Sequence, residues 1–299
     1  MDNFSVTVAV PCYNGEKFIS ENITSILTQT RIPDEILVID DGCTDKTPGI
    51  VKGFRGVKLI QHLSNKGLAA SRNTALMNAS SDVLVYLDAD TRAHPKLLET
   101  LLQGYSADDI AGVGGRAIET TASSNEEENN IYNLWRHLHA KQGFGDSSLS
   151  GVNMLWGLCS SYRKKALERA GGFDPVYKTN GEDVDIGIKI NKLGLKLVYL
   201  PEAIVYHNRN DNFDSLKEML ARWYFWGYIA KRRNNEPAFF NHLKIILFNF
   251  IKNIIFDLII KRNAGLAFLS LKASGIELMA TFKAFLATRG NRAIDVKEG

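Results

Sequence analysis

The chain has 299 residues, of which 45% are hydrophobic and 23% are charged, and 36 Lys and Arg against 33 Asp and Glu give it a net charge of +3. These values are close to the average of globular proteins, so they exclude a wholly disordered chain, a collagen-like repeat and a small disulfide-bonded scaffold. The length suits one large domain, or one domain with an appended region.

The three cysteines, Cys12, Cys43 and Cys159, are far apart in sequence and form no C-x-x-C pair. This pattern is typical neither of a disulfide framework nor of a zinc cluster, and it fits a reducing compartment. The first residues, MDNFSVTVAVP, lead directly into a strand-like segment and lack the features of a signal peptide. We therefore predict a cytoplasmic location, either free or peripheral on the inner face of a membrane.

Strand-like and helix-like segments alternate over the first hundred residues. The segments VTVAVP, EILVIDDG, VKLIQH and DVLVYLDAD are short, apolar and bounded by turn residues, whereas residues 17–29 and 67–78 are typical of helices. Strands that alternate with helices favour right-handed crossovers and a mainly parallel sheet. We therefore predict an α/β fold of the nucleotide-binding type, which we assign to residues 1–210.

Aromatic and acidic side chains follow three of these predicted strands. Tyr13 follows the first strand, Asp40 and Asp41 follow the second, and Asp88 and Asp90 follow the fourth. In doubly wound α/β folds, ligands bind at the carboxyl ends of the strands. Because residues i and i+2 of an extended strand point the same way, the last pair offers two hard oxygen ligands that suit Mg²⁺ or Mn²⁺ beside a substrate diphosphate.

Two polar segments, residues 119–130 and 143–151, flank an aromatic stretch that contains Tyr132 and Trp135. Loops of this kind either close over a substrate as a lid or are surface insertions. Composition alone favours neither interpretation.

The chain beyond residue 210 has a different pattern. It carries 14 Lys and Arg against 8 Asp and Glu, and its apolar residues are spaced as in helices. Lys244, Lys252 and Asp257 interrupt the most apolar segment, so the pattern predicts amphipathic helices rather than a membrane span. We therefore predict that residues 211–299 form a basic helical region that packs on the α/β domain, forms a homo-oligomer or lies on a membrane surface. We expect no nucleic-acid partner.

Six motifs occur in a fixed order along residues 4–207. They are VAVPCYNGEKFISENITSILTQT, EILVIDDGCTDKT, an N-x-G-x-x-x-x-R-N segment at 65–73, VLVYLDAD, GGFDP at 171–175 and GEDVD at 181–185. The ordered set resembles the inverting glycosyltransferases of family 2. This resemblance implies the GT-A fold with a mainly parallel central sheet, followed here by a C-terminal helical extension. It also implies a nucleotide-diphosphate sugar donor, with uridine expected by analogy, and a divalent cation, Mg²⁺ or Mn²⁺.

The resemblance also implies which residues bind the donor. Tyr13 would lie against the nucleobase, Asp41 would accept a hydrogen bond from the uracil imide, and Asp40 would support the loop or contact the ribose. Arg72 would lie near the phosphates, for which its guanidinium is a natural donor. The full set of donor-binding residues implied in this way is Pro11, Tyr13, Asn14, Glu16, Asp40, Asp41, Arg72, Asp88 and Trp156.

The implied metal ligands are Asp90, Asp88 and His207. Asp90 corresponds to the principal ligand, and Asp88 would reach sugar hydroxyls or metal-bound water. His207 ends the last predicted strand of the α/β part, where an imidazole is a plausible third ligand.

The implied catalytic residues are Asp183 and Glu182, in GEDVD. Asp183 would act as general base on the acceptor hydroxyl, and Glu182 would orient the acceptor or begin a helix. An acidic pair at a helix N-terminus is also favourable in its own right. The expected reaction is the transfer of a single sugar, with inversion, to a hydroxyl of a glycan or of a lipid-linked acceptor.

Three other interpretations compete with this one. MLARW at 219–223 is similar to the Q-x-x-R-W of processive polysaccharide synthases, but Met219 stands at the Gln position. A sugar-phosphate nucleotidyltransferase would normally have a Gly-rich basic loop after the first strand, and PCYNGEKF has one Gly and one Lys. A non-catalytic nucleotide-binding scaffold would not need the aspartates or Asp183.

Overall fold

The computed structural model describes residues 4–120, 130–208 and 211–289. The chain forms two compact units, one made of residues 1–120 and 142–208 and the other of residues 121–141 and 209–299. We call these the sheet unit and the helical unit. Most of the first polar segment that sequence patterns interpret as a lid or an insertion, residues 121–129, lies outside the described residues.

The described strands of the sheet unit form one nine-stranded sheet. The strands are β1 (Val6–Cys12), β2 (Glu35–Asp40), β3 (Val57–Gln61), β4 (Val83–Leu87), β5 (Thr91–Ala93), β6 (Ile110–Thr120), β7 (Leu149–Ser150), β8 (Cys159–Arg163) and β9 (Lys196–Asn208). Their order is β3-β2-β1-β4-β8-β6-β9-β5, with β7 paired to β9.

The sheet combines parallel and antiparallel pairing. β1 pairs in parallel with β2 and β4, β2 with β3, and β6 with β9. β8 is antiparallel to β4 and β6, and β5 and β7 are antiparallel to β9. Because β1 to β4 are parallel, their carboxyl ends meet at one edge, where the predicted site residues follow them. The predicted α/β architecture is confirmed, with antiparallel pairing added by strands that follow β4.

The helices are α1 (Ile19–Leu27), α2 (Thr47–Lys52), α3 (Leu68–Asn78), α4 (Leu97–Gln103), α5 (Ile131–His139), α6 (Lys164–Arg169), α7 (Glu182–Lys192), α8 (Phe213–Arg233), α9 (Phe239–Ile255) and α10 (Ala264–Ala287). All residues of β1 and β4 are buried. Strands covered on both faces read as continuous apolar runs, which explains why these two were recognisable from sequence.

The helical unit contains α5, α8, α9 and α10, and a π-helical turn, Phe256–Ile260, follows α9. Three asparagines begin its helices: Asn130, Asn212 and Asn263 each accept hydrogen bonds from backbone N–H groups of the first turn. Such caps satisfy donors that would otherwise have no partner. The apolar core of the unit includes Trp135, Leu216, Met219, Leu220, Leu266, Leu269 and Ala273.

A buried polar cluster joins three segments of the helical unit. Asp257, which is fully buried, accepts hydrogen bonds from Ser270 Oγ at 2.6 Å and pairs with His139 Nε2 at 2.7 Å. The indole N–H of Trp135 donates to Ser270 Oγ at 2.8 Å. Trp135 of the predicted aromatic stretch is therefore a core residue of this unit, because both its ring and its polar atom have partners inside it.

Candidate active site

The loop after β1 is attached to the loop after β2. Asn14 has a left-handed backbone (φ 52°) and accepts a hydrogen bond from the backbone N–H of Thr44 at 2.8 Å. Glu16 accepts one from the backbone N–H of Lys46 at 3.0 Å. Tyr13 directly precedes the first attachment point and is 54% exposed. The structure thus presents the Tyr13 ring to solvent on an anchored loop, and the nucleotide contacts expected of Asn14 and Glu16 stay predictions.

Asp40 ends β2 and is held by two donors. Its carboxylate accepts hydrogen bonds from the backbone N–H of Cys43 at 2.7 Å and from Gln61 Nε2 at 2.8 Å. Burial alone would raise the pKa of Asp40, but these hydrogen bonds outweigh burial and hold the pKa below its usual value. Pro11 is buried in the neighbouring strand, opposite Ile39. These contacts attach Asp40 to the loop after β2 and to β3, and its expected role, to support the loop or contact the ribose, stays a prediction.

Asp41 is buried and anchors the segment that begins α3. One carboxylate oxygen pairs with His62 Nδ1 at 2.7 Å and accepts from the backbone N–H of Lys66 at 2.9 Å. The other accepts from the backbone N–H of Gly67 at 2.8 Å, and His62 Nε2 contacts Thr74 Oγ1 at 2.8 Å. A carboxylate has about four acceptor positions, and these contacts occupy three of them. The expected contact of Asp41 with a nucleobase stays a prediction.

Arg72, on α3, is a buried cation between two of the sequence motifs. Its guanidinium lies 3.2 Å from Glu182 Oε1 and 3.5 Å from Asp88 Oδ1, and its side chain is 1% exposed. The same group lies 5.6 Å from the ring centroids of both Tyr86 and Phe173. Arg72 therefore links the end of β4 to the beginning of α7, whereas the resemblance had assigned it to the donor phosphates. Its contact with phosphate stays a prediction.

Asp183 lies in the first turn of α7, beside this cation. Gly181 precedes the helix with φ 93°, a left-handed conformation in which a side chain would be strained. Asp183 Oδ1 accepts a hydrogen bond from the backbone N–H of Val184 at 2.8 Å. Burial raises the pKa of the Asp183 carboxyl, while Arg72 and the backbone hydrogen bonds oppose the rise. Burial likewise raises the pKa of Glu182 against the effect of Arg72.

Gly157 allows the backbone to approach the guanidinium of Arg72. A Cβ atom at this position would lie 2.5 Å from Arg72 Nη2, which is too close for any non-hydrogen atom. The preceding residue, Trp156, is partly exposed, and its ring lies 6.1 Å from that of Phe144. Trp156 is therefore next in sequence to a residue that contacts Arg72, and its expected place in the sugar pocket stays a prediction.

His207 lies between two carboxylates from neighbouring strands. Its Nε2 is 3.3 Å from Asp90 Oδ2, and its Nδ1 is 3.3 Å from Glu119 Oε1. The register of β9 places Thr91 and Glu119 on either side of His207. Burial lowers the pKa of His207, but the two carboxylates outweigh burial and raise it to about 9.

The residues at this edge fit a divalent cation that takes few protein ligands. Within residues 4–120, 130–208 and 211–289, no three His, Cys, Asp or Glu side chains are arranged to hold a metal by themselves. Mg²⁺ is usually bound by one or two carboxylates, with substrate phosphates and water completing its coordination. Asp90, whose side chain is 31% exposed, would supply an oxygen, and His207 would supply a nitrogen once its imidazole has lost the proton that the neighbouring carboxylates favour. The oxygen of Asp90 and the nitrogen of His207 fit the divalent cation, Mg²⁺ or Mn²⁺, that the resemblance implies.

Three residues of the site were not predicted from the sequence. Glu119 contacts His207, His62 contacts Asp41, and Gly157 makes room for Arg72. The signal for the first two was available, because Glu119 is near the end of β6 and His62 directly follows β3. The tight packing at Gly157 involves Arg72, which is distant in sequence, so no local pattern predicts it.

The family model described as "Glycosyl transferase family 2" matches residues 7–171. The pre-mycofactocin glycosyltransferase of Mycobacterium tuberculosis is 28% identical over 229 residues, which cover 74% of this chain and 46% of that protein. The chain thus spans about half the length of this curated relative.

A second relative is "UDP-Glc:alpha-D-GlcNAc-diphosphoundecaprenol beta-1,3-glucosyltransferase WfgD" of Escherichia coli. It is 41% identical over 92 residues, or 30% of this chain and 36% of that one. Among solved structures, the mannosyltransferase PcManGT from Pyrobaculum calidifontis, in complex with GDP-Man and Mn²⁺, matches with a TM-score of 0.57 and 20% identity. That match covers 97% of this chain and 76% of the other, and it confirms the predicted fold.

Proposed function

Because the chain belongs to glycosyl transferase family 2, we propose that it transfers a single sugar from a nucleotide-diphosphate sugar to a hydroxyl group, with inversion at the anomeric carbon. The expected donor is UDP-linked, and the expected acceptor is a glycan or a lipid-linked sugar. The enzyme class follows from the family. The donor, the acceptor, the metal and the stereochemistry are parts of the proposal.

One observation carries the proposal: Arg72 joins Asp88 to Glu182. These carboxylates belong to VLVYLDAD and GEDVD, which are far apart in sequence, yet both lie within 3.5 Å of one buried guanidinium. Asp183, next to Glu182, therefore lies near the strand end that carries Asp88 and Asp90. A single displacement on a sugar requires the general base to lie close to the diphosphate of the donor. Asp183 and the end of β4 would meet this requirement.

In the proposed reaction, the acceptor oxygen attacks the anomeric carbon while Asp183 takes the hydroxyl proton. The bond from the anomeric carbon to the diphosphate oxygen breaks, and its electron pair leaves with the nucleoside diphosphate. A carboxylate with a raised pKa is a stronger base, so the burial of Asp183 suits this role. Attack opposite the leaving group inverts the configuration.

The metal part of the proposal rests on Asp90, His207 and Asp88. Asp90 and His207 would hold Mg²⁺ or Mn²⁺, and Asp88 would contact sugar hydroxyls or metal-bound water. The cation would supply positive charge against the negative charge that develops on the departing diphosphate. Glu119 would act as a positioning residue, because it fixes the orientation of the His207 ring through Nδ1.

The nucleotide part of the proposal rests on Tyr13, Asp40 and Asp41. The exposed Tyr13 ring would stack on a base, and the Asp41 carboxylate would accept one further hydrogen bond, from that base. Pro11, Asn14 and Glu16 would shape the loop around them, and Trp156 would line the sugar pocket. WfgD is named for a UDP-sugar, whereas PcManGT was solved with GDP-Man, so the base is best determined with a panel of nucleotide sugars.

A lipid-linked acceptor is supported by WfgD, whose name specifies a diphosphoundecaprenol sugar. A cytoplasmic location is supported by three cysteines that form no disulfide in the structure.

The decisive experiment is Asp183→Asn. We expect transfer to fall by about three orders of magnitude or more, because the acceptor proton loses its base, while the affinity for UDP and Mn²⁺ stays within about threefold. Calorimetry measures the binding, and sugar release from a panel of nucleotide sugars measures the reaction. Asp174→Asn, in the neighbouring GGFDP motif, is a matched control that keeps a carboxylate at 183.

Two results would overturn the proposal. Transfer by Asp183→Asn at the parental rate would exclude Asp183 as the base. Release of pyrophosphate from a nucleoside triphosphate and a sugar phosphate would identify a nucleotidyltransferase instead.

A further inference from the structure

The exposed apolar side chains of the protein are concentrated in the last two described helices. Of the 22 large hydrophobic residues exposed in the described part of the chain, 15 lie between residues 240 and 286. Proteins that stay monomeric in water rarely expose a contiguous apolar patch of this kind. These residues are Phe240, Ile245, Leu247, Phe248, Ile251, Ile255, Leu258, Ile259, Ile260, Phe268, Leu271, Leu278, Met279, Phe282 and Leu286.

The exposed residues follow helical spacing. On α9 and the π-helical turn they include Phe240, Leu247, Ile251, Ile255 and Leu258, and on α10 they include Phe268, Leu271, Leu278, Phe282 and Leu286. The opposite faces are buried, through His242, Ile246 and Asn253 on α9 and through Leu266, Ala273, Ala280 and Ala284 on α10. Each helix therefore has one side in the core of the helical unit and a second apolar stripe that no part of the described unit covers.

The two stripes belong to one antiparallel helical hairpin. The rings of Phe239 at the beginning of α9 and Phe285 near the end of α10 lie 4.5 Å apart. At the other end, Asp257 after α9 accepts the hydrogen bond from Ser270 near the beginning of α10. We call the exposed side of residues 239–289 the hairpin face.

The hairpin face carries positive charge without exposed negative charge. Residues 239–289 contain two acidic residues, Asp257 and Glu277, and both are buried. All seven basic residues of this range are exposed: Lys244, Lys252, Lys261, Arg262, Lys272, Lys283 and Arg289. Two copies of such a face would repel each other, because like charges would meet, whereas an anionic surface would attract it.

The charge pattern also bears on how the helices would meet a membrane. Among the described residues, one helix, Ala264–Ala287, has the length and composition of a membrane span, with a mean hydropathy of 1.2. Of the 18 most apolar consecutive residues of this helix, 44% are buried in the protein. Lys272, Glu277 and Lys283 also lie along it, and charges in the bilayer centre are costly. An interfacial position suits a helix with one apolar stripe and flanking cations.

We infer that the hairpin face is a docking surface for an anionic lipid bilayer, in which α9 and α10 lie in the headgroup region with their apolar stripes directed at the acyl chains. The apolar side chains supply burial, and the cations supply attraction to acidic headgroups. The inference goes beyond the proposed transfer and does not depend on it.

The test is co-sedimentation of the full chain with vesicles of phosphatidylcholine alone or with about 30% phosphatidylglycerol. We expect binding to the anionic vesicles, weak binding to the neutral ones, and a loss of binding when salt rises from about 0.1 M to about 1 M. Lys244→Gln, Lys252→Gln and Lys261→Gln together should weaken binding by about 100-fold. Lys52→Gln, Arg55→Gln and Lys58→Gln, three exposed cations of the sheet unit, are the matched control and should have little effect.

The contribution of the apolar side chains to vesicle binding is tested with a second pair of triple variants. Phe240→Ser, Phe248→Ser and Phe282→Ser together should abolish vesicle binding, whereas Ile32→Ser, Leu63→Ser and Met77→Ser, equally exposed in the sheet unit, should not. Far-UV circular dichroism shows whether each variant is folded.

Three outcomes would overturn the inference. These are equal binding to neutral and anionic vesicles, a lipid-free dimer that the phenylalanine variants dissociate, and a chain that resists extraction from vesicles at alkaline pH as a membrane-spanning helix does. Nucleotide binding is measured separately without lipid, so failure here leaves the proposed transfer untouched.

Discussion

Each unit of the molecule buries a histidine against a carboxylate, and the two histidines differ in the sign of their pKa shift. In the sheet unit, His207 lies between Asp90 and Glu119, and its pKa is raised to about 9. In the helical unit, burial lowers the pKa of His139, although Asp257 opposes the shift. Both imidazoles are desolvated. Two carboxylates outweigh burial at His207, whereas at His139 the one carboxylate does not, and Lys252 lowers the pKa further.

The surroundings of the two pairs explain what each can do. Asp257 is fully buried and receives hydrogen bonds from Ser270 and His139, so its partners come from the protein itself. Asp90 is 31% exposed at the edge of the sheet. A buried cluster that satisfies itself stabilises packing, whereas one that remains open and carries excess negative charge is suited to a cation.

The largest effect on stability is expected for Asp257. Asp257→Ala should lower the free energy of unfolding by about 3 kcal/mol, because His139 and Ser270 would be left buried without an acceptor. Urea denaturation followed by circular dichroism measures the loss. Asp257→Asn keeps one acceptor oxygen and should lose less. If Asp257→Ala weakened Mn²⁺ binding while the protein stayed folded, the helical cluster would belong to the functional site after all.

Glu119 provides the corresponding test of the His207 cluster in the sheet unit. Glu119→Gln keeps the size of the side chain but removes the charge beside His207 Nδ1, so we expect Mn²⁺ affinity in the presence of UDP to fall by about 10- to 100-fold. Electron paramagnetic resonance of free Mn²⁺ provides the measurement. Glu202→Gln, an exposed position on the same strand β9, should leave the affinity unchanged. Equal affinities for Glu119→Gln and the parent would separate Glu119 from the metal site.

Sequence patterns predicted the parts of the fold that depend on neighbours along the chain. β1 and β4 are continuous apolar runs because both faces are covered, and the acidic residues after β2 and β4 follow from the rule for parallel strands. The antiparallel strand β8 between β4 and β6 was not predicted, since its pairing with β4 depends on residues distant in sequence.

The same limit applies to the site. Asp88, Glu182 and Arg72 could each be selected from a motif, but the ion pairs among them depend on the packing of α3 against the ends of β4 and α7. Trp135 shows the converse case. Its position between two polar segments is compatible with a lid, and its burial beside Ser270 could not be read from local composition.

The smallest expected effect concerns Glu277, a buried carboxyl of the helical unit. Burial raises the pKa of Glu277 to about 7, and Tyr224 opposes the rise through a hydrogen bond. The unfolded chain ionises this group near 4.5, so between that value and about 7 the folded state holds the extra proton. Stability therefore falls as the pH rises through this window.

Glu277→Gln removes the charge and should remove this pH dependence. From pH 6 to about pH 7, the parent should lose about 1 kcal/mol of unfolding free energy relative to the variant, as measured by urea midpoints at each pH. Glu236→Gln, in the segment between α8 and α9, is the control and should show no such difference. An increase in the unfolding free energy of the parent over the same pH interval would contradict this prediction. It would mean that a cation lies beside Glu277 and stabilises its ionised form, as Arg72 does for the carboxylates of the sheet unit.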